Sequence, residues 1–345
     1  MILKESEMRD VHISKLGGVL LVALLLVVSL GTTSRAEVKE VRLAKQYGLS
    51  YLPLIVMEEN KLIEKHARKA GLGEIKVSWA TFGSGAVMND ALLSGNLDFA
   101  AGGVAPLLTI WDKTRGGVKG VAALDSIPIY LNSNNPAVKS IKDLSDKDRI
   151  ALPAVKVSVQ AVALQMAAAK LYGEKNYGKL DKLTVSMKHP DAQVALLSGK
   201  SEITGHIASP PFMFQELKDP KVHTVLNSFD VIGGPHTFDV VWASKKFHDA
   251  NPRIYAAVFA ALEEAIAIIY QDKRVAAELY LKASKSKEPV GEVYGYLTKQ
   301  PVNYTTTPLN ITRFSDFMYQ TGALKNKPKN WKELFFPNVH AKKGS

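Results

Sequence analysis

The pentapeptide Ala91-Leu92-Leu93-Ser94-Gly95 returns 104 residues later as Ala195-Leu196-Leu197-Ser198-Gly199. The agreement runs on past it, with Pro106 opposite Pro210 and Asp98 opposite Glu202. Each copy reads as a helix end, a glycine stop, a short strand and a turn into another helix. Ala, Leu, Ser and Gly are common residues, so the pentapeptide alone leaves coincidence open; the agreement around it decides for duplication. Two copies are too few for a solenoid, in which at least three stacked repeats bury a shared core. The repeat therefore predicts two similar α/β lobes, and two lobes facing each other enclose a cleft suited to a ligand.

The pattern of each half agrees. In the first, Val41–Tyr47 reads as a strand and Leu52–Lys69 as an amphipathic helix ending at Gly71. Strand Ile75–Ala80, helix Ser84–Ser94, strand Leu97–Gly102 and helix Val104–Lys113 follow. In the second, strand Arg149–Leu152 leads to helix Val157–Leu171, stopped at Gly173. Strand Leu183–Met187, helix Asp191–Ser198, strand Glu202–His206 and helix Ser209–Leu217 complete it. Strands alternating with helices at this spacing predict parallel sheets flanked by helices. Asn251–Ala283 reads as a long helix, with Arg313–Thr321 and Trp331–Phe336 bracing the back of the first lobe. With 46% hydrophobic residues in a chain of 345 and no low-complexity linker, a sizeable core is expected.

Residues 1–36 pose a separate question. Leu16–Leu30 is an almost unbroken apolar run behind Lys15, and Ser34-Arg35-Ala36 ends it with small residues where a signal peptidase reads. About 15 apolar residues fall short of the ~20 needed to span a bilayer, so the segment is expected to be a secretory signal peptide cleaved near Ala36. Its long, mixed-charge start makes Met8 an alternative initiation site. The chain has no cysteine, which excludes disulfides, thiolate metal sites, a Cys nucleophile and a lipid-bearing cysteine after the leader. Export without a lipid anchor points to the periplasm of a Gram-negative bacterium.

The net charge is +11, of which residues 1–36 contribute four basic and three acidic groups, leaving about +10 after cleavage. Such a field attracts anions, but the charges are scattered, so it is only a mild hint of an anionic ligand. No Arg-rich helix or aromatic-interleaved basic patch is present, which argues against nucleic acid. Catalytic motifs are also missing. Gly83-Ser84-Gly85 lacks the lysine of a phosphate loop and the third glycine of a dinucleotide fingerprint. Ser209-Pro210-Pro211 is not a nucleophile elbow, and the histidines show no i, i+4 pairing of a metal site. His189-Pro190-Asp191 reads as a helix start. No enzyme activity, cofactor or metal is expected.

Several stretches together resemble the periplasmic solute-binding components of nitrate/sulfonate/taurine-type ABC importers. These are Tyr47-Gly48 followed by Pro53, Phe82-Gly83-Ser84-Gly85 through Gly102-Gly103-Val104-Ala105-Pro106, and Val240-Val241-Trp242-Ala243-Ser244 followed by Asn251-Pro252. The resemblance covers essentially the whole mature chain and names no ligand. It implies a two-lobe periplasmic binding protein fold (type II), α/β, with a mainly parallel sheet in each lobe and two hinge crossings. Lobe 1 would take 37–127 plus 236–345 and lobe 2 128–235, with crossings near Ile127–Leu131 and Gly233–Val240. It also implies a membrane permease as partner for a monomeric receptor.

Independently of that resemblance, ligands in open parallel sheets sit at the carboxyl ends of strands, where helix N-termini offer unpaired N–H groups. In the first lobe this selects Tyr47, Tyr51, Ser84, Gly85, Gly103 and Val104. Tyr47 and Tyr51 would form an aromatic wall, although core packing serves them equally, and Ser84 would cap its helix or donate its hydroxyl. In the second lobe it selects Ser158, Gln160, His206 and Ser209, with His206 replacing Gly102 at a strand end. His236 and Thr237 lie at the second crossing. No arginine clamp is evident among these loops, so helix N-termini and hydroxyls would carry an anion, or the solute is less charged. The expected function is capture of a small, anionic organic or inorganic solute for an importer. The alternatives are a ligand-presenting partner of a membrane sensor and an enzyme like the thiamine-pyrimidine synthases of the same fold, whose cysteine-rich iron motif this chain lacks.

Overall fold

The computed structural model describes residues 36–345; the leader reading falls outside them. Strand β1 (Glu40–Lys45) starts the first lobe, followed by β2 (Lys76–Thr81), β3 (Phe99–Gly103) and β4 (Val118–Ala123). A short β5 (Asp125–Ser126) leads into the second lobe, which holds β6 (Tyr130–Ser133), β7 (Ile150–Leu152), β8 (Thr184–Ser186), β9 (Gly205–Ala208) and β10 (His223–Asn227). The chain then returns through β11 (Asp239–Ser244) and later β12 (Asn303–Tyr304).

The first sheet has the order β2-β1-β3-β11-β4 and the second β8-β7-β9-β6-β10. In each, β1/β2/β3 or β7/β8/β9 pair in parallel and one antiparallel strand, β11 or β6, is inserted next to the third. That strand is in both cases the one reached directly after a crossing, so the two sheets share one topology. The duplication is visible at atomic detail. Leu92 and Leu196 are buried while Leu93 and Leu197 are exposed, and Ser94 and Ser198 each donate to the carbonyl three residues back.

Helices cover the sheets, and three depart from expectation. Leu52–Lys69 is two helices, Leu52–Glu59 and Leu62–Lys69, broken where Lys61 adopts φ 49°. The long C-terminal helix is likewise split into Pro252–Gln271 and Lys273–Ser284. Asp272 makes the break by accepting the N–H groups of Arg274 and Val275, an N-cap that satisfies orphan donors. Pro252–Gln271 is apolar and long enough to cross a membrane, but its buried face packs on the helices at 52–59 and 62–69. The helix expected over Ser209–Leu217 is only Phe212–Glu216. Strand β9 starts at Gly205 rather than Glu202, because Ser201 and the residues after it turn back on the preceding helix end.

Side chains flanking each crossing hold the backbone of the other. Asp125 Oδ1 accepts the N–H groups of Phe238 (3.3 Å) and Asp239 (3.0 Å). Ser228 Oγ accepts the N–H of Ile129 at 3.0 Å and meets His236 Nε2 at 2.9 Å. β5 also pairs with β12, whose Tyr304 hydroxyl donates to the Leu49 carbonyl at 2.7 Å.

Candidate functional site

Loops at the carboxyl ends of the parallel strands meet at a small cavity between the sheets. From the first lobe come Gln46, Tyr47 and Tyr51 after β1, then Gly85, Gly103 and Pro106. From the second come Pro153, Ser158, Val159, Gln160, His189 and Ser209, and the second crossing adds Phe238 and Asp239. The cavity measures about 20 Å³, room for one or two waters. An open groove of about 590 Å³ adjoins it, sharing Gln46 and Tyr47 and bounded by both lobes through Glu58, Gln193 and Tyr280.

The lobes touch where the first presents glycine. Leu49 N–H donates to the Pro210 carbonyl at 2.8 Å. The neighbouring Gly48 sits at φ +117°, and a Cβ there would lie 2.7 Å from that same oxygen. A Cβ on Gly103 would approach two carbons of Val159 at 3.1 Å. Both glycines permit a backbone approach that a side chain would block.

Of the positions selected from sequence, Tyr47, Tyr51, Gly85, Gly103, Ser158, Gln160 and Ser209 line the cavity, and Ser84, Val104, His206, His236 and Thr237 do not. Ser84 stands at the helix cap position without a side-chain cap bond. Val104 spends its N–H on the Phe238 carbonyl at 3.0 Å. Thr237 is bound on both its N–H and hydroxyl to Leu309. His236 is buried between Phe229 and Phe314. Its Nδ1–H donates to the Thr237 carbonyl at 2.9 Å and its Nε2 accepts from Ser228. Burial, only partly offset by that carbonyl, pulls it down to about 4.

His206 lies behind the wall rather than in it. Its Nδ1 meets Glu216 Oε1 at 2.5 Å and its Nε2 meets His189 Nδ1 at 2.8 Å. Asn132 Nδ2 donates to the other Glu216 oxygen at 2.9 Å, and His189 Nε2 is 3.3 Å from Gln160 Nε2. All five side chains are buried. Two acceptor oxygens on Glu216 call for a proton on His206 Nδ1. For neutral rings the next proton sits on His189 Nδ1, which leaves His189 Nε2 to accept from Gln160 Nε2. Burial, reinforced by the neighbouring His206, holds His189 well below the usual histidine range. His189 is the cavity residue the sequence pattern hid: Pro190 marked a helix start, and His189 is that helix's first residue, set on the cleft.

Asp239 was also missed, although its signal was present: a carboxylate opening the otherwise apolar Val240-Val241-Trp242-Ala243. It is fully buried, and neither carboxylate oxygen has a hydrogen-bond partner. The Tyr51 hydroxyl lies nearby, accepting from Gln46 Nε2 at 2.9 Å, and its O–H partly favours the ionised Asp239 carboxylate. Burial drives Asp239 up to about 8, slightly relieved by Tyr51. Asp125 is raised as well, by burial and then by Asp239. Among the described residues neither carboxylate pairs with Lys or Arg, and no Lys or Arg lines the cavity.

Two matching α/β sheets, joined by crossings and enclosing a cavity at their strand ends, define the two-lobe periplasmic binding protein fold. No protein-family model and no curated protein sequence matches the chain. Solved structures match it in fold. The alkanesulfonate-binding protein SsuA from Xanthomonas axonopodis pv. citri bound to MOPS superimposes with a TM-score of 0.68 at 18% identity, over 85% of this chain and 96% of that one. The periplasmic aliphatic sulphonate binding protein SsuA from Escherichia coli gives 0.64 at 18% identity, over 88% and 99%. A conserved Candida albicans gene product with the generic periplasmic binding protein fold gives 0.64 at 14% identity, over 86% and 95%.

Proposed function

We propose that this protein is the exported, solute-binding component of an ABC importer, a receptor and not an enzyme. The observation that carries the reading is the cavity, whose walls come from both lobes and from the crossing that joins them. A solute entering there would touch all three at once. Closure would then bury it by hinge motion at the crossings, with lobe 1 formed by 37–127 and 236–345 and lobe 2 by 128–235. The closed form would dock on a membrane permease as a monomer in the periplasm, after cleavage near Ala36. The likeness in fold to sulfonate-binding proteins supports the role.

The solute is small. The cavity of about 20 Å³ must widen to admit any organic molecule, and the adjoining groove gives the direction of opening. Helix N-termini at Gly85, Val159 and His189 border it, which suits a partly anionic group. The absence of a lining cation weighs against a bare inorganic anion.

The test is a thermal-shift screen of protein unfolded and refolded to strip carried-over solute, using sulfonates, carboxylates, nitrate, amines and pyrimidines. A ligand at a hundred times its Kd adds about 2.7 kcal/mol, or roughly 4 °C for a chain of this size. A hit accompanied by a smaller radius of gyration in solution scattering is expected. No shift with any compound would overturn the receptor reading.

A further inference from the structure

We propose that His189 is a switchable donor, and that capture of an anionic solute takes up one proton through it. The inference deepens the receptor reading and rests on it. An anionic group in the cavity meets helix N-termini and neutral side chains, and no Lys or Arg. Its compensating charge must come from a side chain that can acquire one. Among the residues lining the cavity only His189 can become a cation near neutral pH.

The side chains behind the ring show how a proton is held. Between His189 Nδ1 and His206 Nε2, 2.8 Å apart, there is room for a single proton. In the unliganded protein it belongs to His189, whose Nε2 accepts from Gln160 Nε2 at 3.3 Å. A proton arriving from solvent at His189 Nε2 lets the Nδ1 proton pass to His206 Nε2. His189 stays neutral and becomes a donor at the cavity, while His206 holds the charge against Glu216 Oε1 at 2.5 Å. Gln160 withdraws its amide NH₂ and leaves the new N–H for the solute. A buried positive charge beside a carboxylate costs far less than an isolated one. Asn132 Nδ2 holds the other Glu216 oxygen and keeps that carboxylate in place. Burial and then the neighbouring His206 keep His189 well below the usual histidine range. The extra proton is therefore absent at neutral pH until an anion arrives, which favours it by direct attraction.

The other titratable groups near the ring do not imitate this response. Lys188 and Asp191, on its own helix, are exposed and pair with each other at 3.4 Å. Tyr47 and Tyr51 face the cavity from the first lobe, and burial holds the Tyr51 hydroxyl well above its ordinary range. Asp239 is pushed up to about 8 by burial, so below pH 7 it keeps its proton with or without an anion. Asp125, which bears on Asp239, is raised as well.

Titration calorimetry of the stripped protein at pH 6.5 would use methanesulfonate, ethanesulfonate and nitrate, anions whose own charge is constant there. Buffers of different ionisation enthalpy count the protons. The expected result is uptake of roughly a half to one proton per anion bound, with affinity falling by up to about tenfold per pH unit between pH 5.5 and 7. His189→Gln should remove the uptake and Asp239→Asn should keep it. Binding without uptake, or uptake that survives His189→Gln, would overturn the inference and leave the receptor reading standing. The switch is also read on the unmodified protein without a solute. As it is acidified, ¹⁵N shifts should show His189 exchanging Nδ1–H for Nε2–H while His206 gains the charge. A His189 that titrates and keeps its Nδ1–H would overturn the inference too. So would failure of all three anions to bind, and the receptor reading falls with it only if the wider screen is silent.

Discussion

Replacing Asp239 by Asn probes the buried charge directly, before any ligand is known. The folded carboxyl is pushed up to about 8 from an ordinary 3.8. Between those values the unfolded chain has released a proton that the folded protein keeps. Stability therefore falls as pH rises through this window, by about 1.4 kcal/mol per pH unit. The loss begins near pH 4, reaches on the order of 4 kcal/mol at pH 7, and levels off above pH 8. Asn has nearly the same shape and cannot ionise, so it escapes that loss. Interaction with Asp125 and Tyr51 blunts the gain, and about 2–4 kcal/mol of stabilisation is expected at pH 7. For a chain of this size that is a rise of roughly 3–6 °C in melting temperature, shrinking to about 1–2 °C at pH 4.5. Scanning calorimetry of both proteins at pH 4.5, 7 and 8.5 reads it, and the buried histidines cancel in the difference. A shift that is the same at all three pH values, or a variant less stable at pH 7, would refute the reasoning. Either outcome would mean that Asp239 is ionised and partnered in the folded protein.

Three further perturbations address closure and the buried networks. Gly48→Ala places a Cβ 2.7 Å from the Pro210 carbonyl at a backbone conformation that L-residues avoid. Solute affinity should fall tenfold or more and scattering should show a more open molecule, whereas unchanged affinity would remove Gly48 from the closing contact. Ser228→Ala strips Ile129 N–H and His236 Nε2 of their shared partner. A loss of about 2–3 kcal/mol is expected, checked by urea denaturation; a loss below 0.5 kcal/mol would mean that water replaces the hydroxyl. Glu216→Gln gives one of two donors, Asn132 Nδ2 or His206 Nδ1, an amide NH₂ to face. The His206 and His189 rings should exchange tautomers, visible as altered ¹⁵N shifts, and unchanged shifts would count against the proton order assigned to the chain.

The βα order was legible because periodic apolar positions and glycine stops are local signals, and the pentapeptide repeats one burial pattern in both lobes. The helix break at Asn60-Lys61 was not, since no Gly or Pro stands there; Lys61 reaches φ 49° under the demands of packing. The inserted strands β6 and β11 were equally hidden, because an apolar run does not say which strand it will pair with or in which direction. Strand-end loops led to Tyr47, Gly85, Ser158 and Gln160 because topology alone brings such loops to the cleft. His206 shows the limit of that reasoning. The sequence repeat sets it opposite Gly102, but register sets it level with Ala100, since Ala100 pairs with Ala44 in the first sheet and His206 with Ala151 in the second. A slip of two residues keeps the face of the strand and moves the side chain inward. A carboxylate opening an apolar strand marked Asp239, but its environment could not be read, because Tyr51 and Asp125 lie more than a hundred residues away in the chain.

The placement of Asp239 joins recognition to movement. Its backbone N–H is held by Asp125 just before the other crossing, so the carboxylate sits at the edge of the first lobe where the chain crosses. Its carboxyl is already shut away from bulk solvent, with room beside it for one or two waters. A solute with a nitrogen donor replaces that water, and the closed state gains a charge-assisted hydrogen bond. One without the donor leaves the carboxyl as the protonated, unpartnered acid it already is in the unliganded protein at pH 7, with no gain on closing. Affinity and closure should therefore separate among related ligands. An acid lacking an amino group is expected to bind, where it binds at all, to a protein whose radius of gyration stays at the unliganded value. Its amino counterpart should compact the protein under the same conditions. Equal compaction by both at saturation would show that closure does not depend on what Asp239 meets.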